Sequence, residues 1–134
     1  MSEEKQESRP AIEDSAHALI SSRRVEGTKV YNKAGEKLGT IHSVMINKTS
    51  GHVVYALLSF GSFLGLGGNV YPVPWPMLDY DPDRDGYVVE LTREQIENAP
   101  SLRLDEADRP HQRSEEELVY AYYGQVPHWG GAPY

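Results

Sequence analysis

Three carboxylates on alternate positions, Asp81, Asp83 and Asp85, are followed by Gly86. That pattern is the first half of a calcium loop, because hard cations take oxygen ligands and the glycine permits the sharp turn. The twelfth position of such a loop supplies a bidentate Glu, and here it is Thr92. Strand-like runs flank the segment instead of helices, so it reads as a solvated hairpin turn, with calcium binding as the weaker alternative. A second segment, Gly61-Ser62-Phe63-Leu64-Gly65-Leu66-Gly67-Gly68, invites a phosphate-loop reading, in which glycine amides cradle an anion at a helix start. It lacks the Lys-Ser/Thr ending and misses the dinucleotide spacing. Its Phe63, Leu64 and Leu66 are apolar residues on a loop, which either cover one end of the fold or touch another protein. His17, His42, His52, His111 and His128 show no metal-ligand spacing and no obvious Ser or Asp partner, and read as surface groups. Glu115-Glu116 fits a helix cap better than acid-base work, which needs buried, perturbed pairs. The chain is therefore read as having no catalytic residue, no metal site and no cofactor.

The balance of the chain supports that reading. Its 134 residues carry 13 basic and 20 acidic side chains, a net charge of -7, which speaks against a polyanion as main partner. Lys29, Lys33, Lys37 and Lys48, with Arg23 and Arg24, lie in the more basic front half, but alternation with Glu26 and Glu36 makes an ordinary mixed surface the preferred reading. With no cysteine, thiolate metal sites, disulfides and cysteine nucleophiles are excluded. Met1 to Asp14 has no apolar stretch of the signal-peptide kind, so the expectation is a soluble, cytoplasmic protein. Thr49 to Leu78 contains no charged residue, yet its glycines and prolines would break a lipid-embedded helix; it reads as buried strands and a loop.

What must position these residues is a series of short β-favouring runs separated by turn signals. Val30-Tyr31 ends one run and Asn32 to Glu36 is a turn. Leu38 to Ile46 is a second strand whose apolar positions change phase between Ile41 and Val44, which predicts a bulge near His42 and Ser43. Val53 to Phe60 is apolar on both faces and should be a central strand covered from two sides. Val70-Tyr71-Pro72-Val73-Pro74-Trp75 reads as an edge strand, since proline lacks a ladder donor. Tyr87 to Leu91 is the last strand expected. Tyr71, Trp75, Tyr80 and Tyr87 are placed in the core. Thr92 and Gln95 predict a capping box, and Pro100 ends that short helix. A polar linker from Asp105 to Arg113 precedes a second box at Ser114 to Glu117. Leu118, Val119, Tyr122 and Tyr123 then form an apolar side that Gly124 terminates.

Several of these residues, in this order, resemble the PRC-barrel family. They are Gly27-Thr28-Lys29-Val30-Tyr31, Glu36-Lys37-Leu38-Gly39 with Ile41, Val44-Met45-Ile46, Gly51 ahead of the apolar strand, Ser59 to Gly67, and Tyr71-Pro72-Val73-Pro74-Trp75. Ala121-Tyr122-Tyr123-Gly124 with Trp129 is similar to the tail of free-standing bacterial members, which usually have no assigned activity. The resemblance implies a mainly β fold, a small PRC-type β-barrel with short C-terminal helices. It relates the chain to the cytoplasmic domain of the photosynthetic reaction-centre H subunit and to the C-terminal domain of a ribosome maturation factor. The sequence around the barrel shows neither the membrane helix of the first nor the preceding domain of the second, so neither function transfers whole.

The expected organisation is a disordered tail over 1–18, a PRC-barrel domain over 19–100, and a linker, amphipathic helix and aromatic tail over 101–134. Tyr120, Tyr122, Tyr123, Trp129 and Tyr134 crowd that tail, and such a tail seeks a surface. Because a barrel of about 70 residues buries only about 60% of its unfolded surface, a docked helix and a homodimer are both expected. Interface candidates are Phe63, Leu64, Leu66, Trp75, Leu118, Tyr122, Tyr123 and Trp129. The favoured function is a non-enzymatic adaptor that binds another protein, in a photosynthetic or electron-transfer setting implied by the resemblance. The alternatives are a ribosome-associated RNA-processing accessory protein and, more weakly, a metal- or ligand-responsive regulator.

Overall fold

The computed structural model describes residues 19–61 and 67–127. The expected disordered tail over 1–18 lies outside them. A single helical turn, α1 (Ser22–Val25), leads into β1 (Lys29–Tyr31), β2 (Lys37–Ile46), β3 (Val53–Ser59) and β4 (Asn69–Pro74). A 3-10 turn at Trp75–Met77 separates β4 from β5 (Asp79–Asp81) and β6 (Gly86–Val88), after which come α2 (Arg93–Glu97), β7 (Leu102–Arg103) and α3 (Arg113–Tyr122). The seven strands form one sheet in the order β5-β6-β1-β2-β3-β4-β7. All neighbours are antiparallel except β1 and β6, which run parallel with Val30 opposite Tyr87.

The class is mainly β, as expected, but the sheet is not closed: among the described residues no pairing joins β5 to β7. Val30 of β1, Leu38 and Ile41 of β2, Leu58 of β3, Val73 of β4 and Tyr87 of β6 nevertheless meet in one apolar cluster, capped by Ile96 of α2. The strands therefore wrap a shared interior without a complete hydrogen-bonded ring.

The phase change in β2 is resolved as the sequence predicts. Ile41 pairs with Leu58 and Ser43 with Leu57, so His42 is the extra residue. The bulge lets both Ile41 and Val44 reach the interior cluster, which strict alternation forbids. Gly39 has a different constraint: a Cβ there would stand 2.0 Å from the Ser59 carbonyl oxygen. It is a close-approach glycine, required by the packing of β2 on β3.

β3 is the centre of the molecule, and its residues divide between two clusters. Ala56 and Leu58 join the interior, whereas Val54, Tyr55 and Leu57 join a second cluster with Val70, Ala107, Val119 and Tyr120. The second face is covered by the chain that follows α2. This corrects two expectations. β4 is not the outermost strand, because β7 pairs with its Asn69 and Val70; that pairing stops short of Pro72, which has no N–H to offer. Strand pairing also does not end near Leu91.

The Thr92 box is present, with Gln95 N donating to Thr92 Oγ1 at 3.0 Å and Thr92 N to Gln95 Oε1 at 2.8 Å. The second helix starts earlier than predicted. Gln112, in extended conformation, is the cap, and its N–H donates to Glu115 Oε1 at 2.8 Å. Gly124 closes α3 at φ +68. Its N–H donates to the Ala121 carbonyl at 3.1 Å and the Gln125 N–H to the Tyr120 carbonyl at 2.9 Å, a Schellman reversal.

Candidate functional site

α3 is held against β3 by a set of polar struts, built from residues that the sequence reading kept apart. The linker ahead of α3 carries Arg109, whose guanidinium grips Glu115 with two hydrogen bonds, Nη2 to Oε2 at 2.7 Å and Nη1 to Oε1 at 3.1 Å. Glu115 thus caps its own helix and anchors the linker. That paired guanidinium, with the Gln112 amide, holds its carboxyl down to about 2. Both partners are part-exposed, so salt screens the pair and its net worth stays small.

Beneath this clasp lies Tyr55, 1% exposed on the second face of β3. Its hydroxyl is hydrogen-bonded to His111 Nδ1. Burial raises the Tyr55 pKa far above its ordinary value, so the phenol stays protonated and donates, which assigns the imidazole proton to Nε2. Burial also lowers the His111 pKa, against the opposing pull of Glu115, and the ring is neutral at pH 7. A further strut is Tyr120, whose hydroxyl donates to the Val54 carbonyl at 2.5 Å; burial pushes its pKa up to about 12.

Two polar atoms in this region have no partner, His111 Nε2 and Glu116 Oε2, both buried. Burial raises the Glu116 pKa above the usual carboxylate range. Beside them a cleft of about 460 Å³ runs between the β2–β3 turn and the linker, lined by Met45, Ile46, Lys48, Tyr55, Arg109 and His111. Burial keeps the Tyr55 phenol protonated, and the imidazole engages it through Nδ1 alone. Sequence reasoning placed His111 on the surface without a partner; the structure corrects this, since Tyr55 lies 56 positions away in the chain. His42 also has a partner, the Ser43 hydroxyl at 3.0 Å.

The outer side of α3 differs. The expected apolar side of Leu118, Val119, Tyr122 and Tyr123 is rotated, because the buried residues are Val119 and Tyr120 and Tyr123 is half-buried against both clusters. Tyr120 and Tyr123 are thus packed inward and not part of a surface-seeking tail. Leu118 is 63% exposed and Tyr122 38%. Tyr122 is held in place all the same: its hydroxyl donates to the Gln95 carbonyl at 2.7 Å, and its ring meets Tyr123 edge-on at 4.9 Å.

Of the other interface candidates, Trp75 is half-buried and packs on Tyr87 at 5.4 Å, and Phe63, Leu64, Leu66 and Trp129 lie outside the described residues. Tyr71 and Tyr87 are buried as expected. Tyr80 is a correction, 42% exposed, with its hydroxyl donating to Asp85 at 2.7 Å. The aspartate turn is a hairpin whose carboxylates serve it: Asp81 accepts the Asp83 N–H at 3.0 Å and faces Arg84 at 3.5 Å. Among the described residues, no three His, Cys, Asp or Glu side chains converge on a common metal position, and no helix is long and apolar enough to cross a membrane. Lys33, from the basic front half, pairs with Glu90 at 3.2 Å.

Comparison with known proteins gives one assignment. The family model for the PRC-barrel domain matches residues 18–96, ending at Ile96 in α2. No curated protein matches the chain. The match leaves out β7, the linker and α3, the part that covers the second face of β3.

Proposed function

Because the chain belongs to the PRC-barrel family, we propose that it is a non-catalytic adaptor that works by binding another protein. The observation that supports this reading is the two-sided use of α3. Val119 and Tyr120 fix the helix to β3, so that Leu118 and Tyr122 are presented to solvent on a rigid element. Apolar groups held rigidly lose little entropy when a partner covers them. A homodimer through the Phe63–Leu66 loop belongs to the same reading, as does a cytoplasmic setting beside a photosynthetic or electron-transfer complex, taken from the family resemblance.

The test is affinity capture of the tagged protein from its native cells at two salt concentrations, with wild type, Leu118→Ser, and a Phe63→Ser/Leu64→Ser double variant. A salt-resistant set of proteins, lost in one of the variants, is the expected result. Recovery of ribosomal components that vanish at high salt would overturn it in favour of RNA-linked binding.

A further inference from the structure

The start of α3 brings together two polar side chains that do not bond each other. His111 precedes the cap Gln112, and Glu116 is the fourth residue of the helix; these are the two positions whose side chains meet across a helix start. Apolar groups ordinarily make that contact. Here the pair is an imidazole and a carboxylate, and His111 Nε2 and Glu116 Oε2 are both buried without a partner. The other ring nitrogen of His111 is engaged by the Tyr55 hydroxyl, which leaves the proton on Nε2 as a free donor and Glu116 Oε2 as a free acceptor. Buried groups of this kind are nearly always satisfied in folded proteins.

Both residues line the cleft of about 460 Å³ between the β2–β3 turn and the linker, a size within the range of about 300–1,000 Å³ that small-molecule pockets occupy. Met45, Ile46 and Pro110 give it apolar walls. Its charged side chains are of both signs, Lys48 and Arg109 with Asp108 and Glu116, so an ion of either sign entering it meets a like charge. A neutral group with one acceptor and one donor, as in an amide, meets no such repulsion and matches the free donor and the free acceptor. Neither orphaned atom presents surface to water, so entry requires a side chain to move, and Met45 and Lys48, unbranched and with several rotatable bonds, are lining residues able to do so.

We propose that this cleft binds a small neutral molecule carrying an amide group, whose carbonyl accepts from His111 Nε2 and whose N–H donates to Glu116 Oε2, with its apolar part against Met45, Ile46 and Pro110. The site goes beyond the adaptor reading and does not depend on it. His111 belongs to the linker and Glu116 to α3, so an occupant that bonds both ties together two parts of the cover on the second face of β3 and stabilises the form in which that cover is closed.

Benzamide, benzoate and benzylammonium share one ring and differ in charge, so titrating each into the isotope-labelled full chain at pH 7, followed by nuclear magnetic resonance, tests the site and the ligand class together. The expected result is that benzamide moves the His111 ring nitrogens and the Lys48 and Glu116 amide signals saturably at millimolar concentration and slows hydrogen exchange in α3, while each ion binds at least about tenfold more weakly. Glu116→Ala removes the acceptor and should weaken benzamide by about tenfold, with an unaltered circular dichroism spectrum as the check on folding. Ile46→Ser, at a half-exposed position, leaves the core in place and should also weaken benzamide. Tighter binding of either ion would overturn the neutral class. Failure of all three to move these signals would overturn the site and leave water to serve the two atoms. Benzamide binding unchanged in both variants would place it elsewhere and overturn the proposal as well. Partner capture reads none of these outcomes, so the adaptor reading stands or falls separately.

Discussion

The two faces of β3 are closed by different parts of the chain. Ala56 and Leu58 face an interior whose buried residues all lie inside the family match, with Ala99 and Tyr123 packed on it from beyond the match. Val54, Tyr55 and Leu57 face a cover made largely by Ala107, Val119 and Tyr120, beyond it. The first face is packed mainly by aliphatic and aromatic groups. The second mixes apolar packing with the Tyr55–His111 and Tyr120–Val54 hydrogen bonds and leaves His111 Nε2 and Glu116 Oε2 without partners. An orphaned buried polar atom costs about 1–3 kcal/mol, so the C-terminal cover is the less stable of the two closures and should open first.

Adjacent leucines test that difference most directly. Leu57 and Leu58 are both 0% exposed, and truncation of either to Ala is expected to cost about 2–5 kcal/mol. The consequences should differ in kind. Leu58→Ala loosens the interior and lowers the urea midpoint of the whole domain. Leu57→Ala should first speed hydrogen exchange in α3, while amides of β1 and β2 stay protected. Equal exchange in both regions for both variants would mean that the two faces unfold as one unit.

Next in size is Tyr120→Phe. It keeps the ring but removes the donor to the Val54 carbonyl, leaving a buried acceptor unsatisfied at about 1–3 kcal/mol. Urea titration should show the loss, and exchange should place it in α3.

Acid should open the same side by a smaller amount. His111 faces Tyr55, Arg109 and Glu115, and its folded pKa lies below 6.5. Below pH 6.5 the unfolded chain therefore binds the proton more readily than the folded one, and stability falls as pH falls. Glu115, held at about 2 in the fold, adds a second loss as pH drops from 4.5 toward 2. Glu116 has the opposite sign: its folded pKa is raised, so its protonation above pH 4.5 favours the fold and offsets part of the His111 loss. Replacing His111 with Asn, whose amide oxygen can accept the Tyr55 hydroxyl, should flatten the decline just below pH 6.5 in the urea midpoint and leave the Glu115 limb intact.

What could be read from the sequence follows the same division. The bulge at His42 was legible because one phase error between Ile41 and Val44 has one local remedy, and the double burial of β3 because Val53 to Leu58 has no polar alternation. The Thr92–Gln95 box announces itself within four residues. The second face was not legible in this way. A two-residue strand at Leu102–Arg103 has no periodicity to detect, and the Tyr55–His111 contact joins residues that nothing in their local sequence relates. The orientation of α3 depended on the sheet: Leu118 and Val119 are equally apolar, and docking onto Leu57 and Val70 decides which is buried.

The smallest effect is expected where the two kinds of tyrosine contact can be compared within one helix. Tyr122, like Tyr120, donates its hydroxyl to a backbone carbonyl, that of Gln95, at 2.7 Å. It does so from an exposed position, and in Tyr122→Phe water can replace the lost donor, so the change in stability should stay within about 0.5 kcal/mol. The bond nevertheless ties α3 to the capped turn of α2, across the end of the family match. Breaking it should leave the urea midpoint nearly unchanged while allowing the Tyr122 ring to reorient, which nuclear magnetic resonance of the ring protons would register. A loss as large as that of Tyr120→Phe would instead mean that the outer side of α3 also bears stability, and that the two sides of this helix are less distinct than their burial indicates.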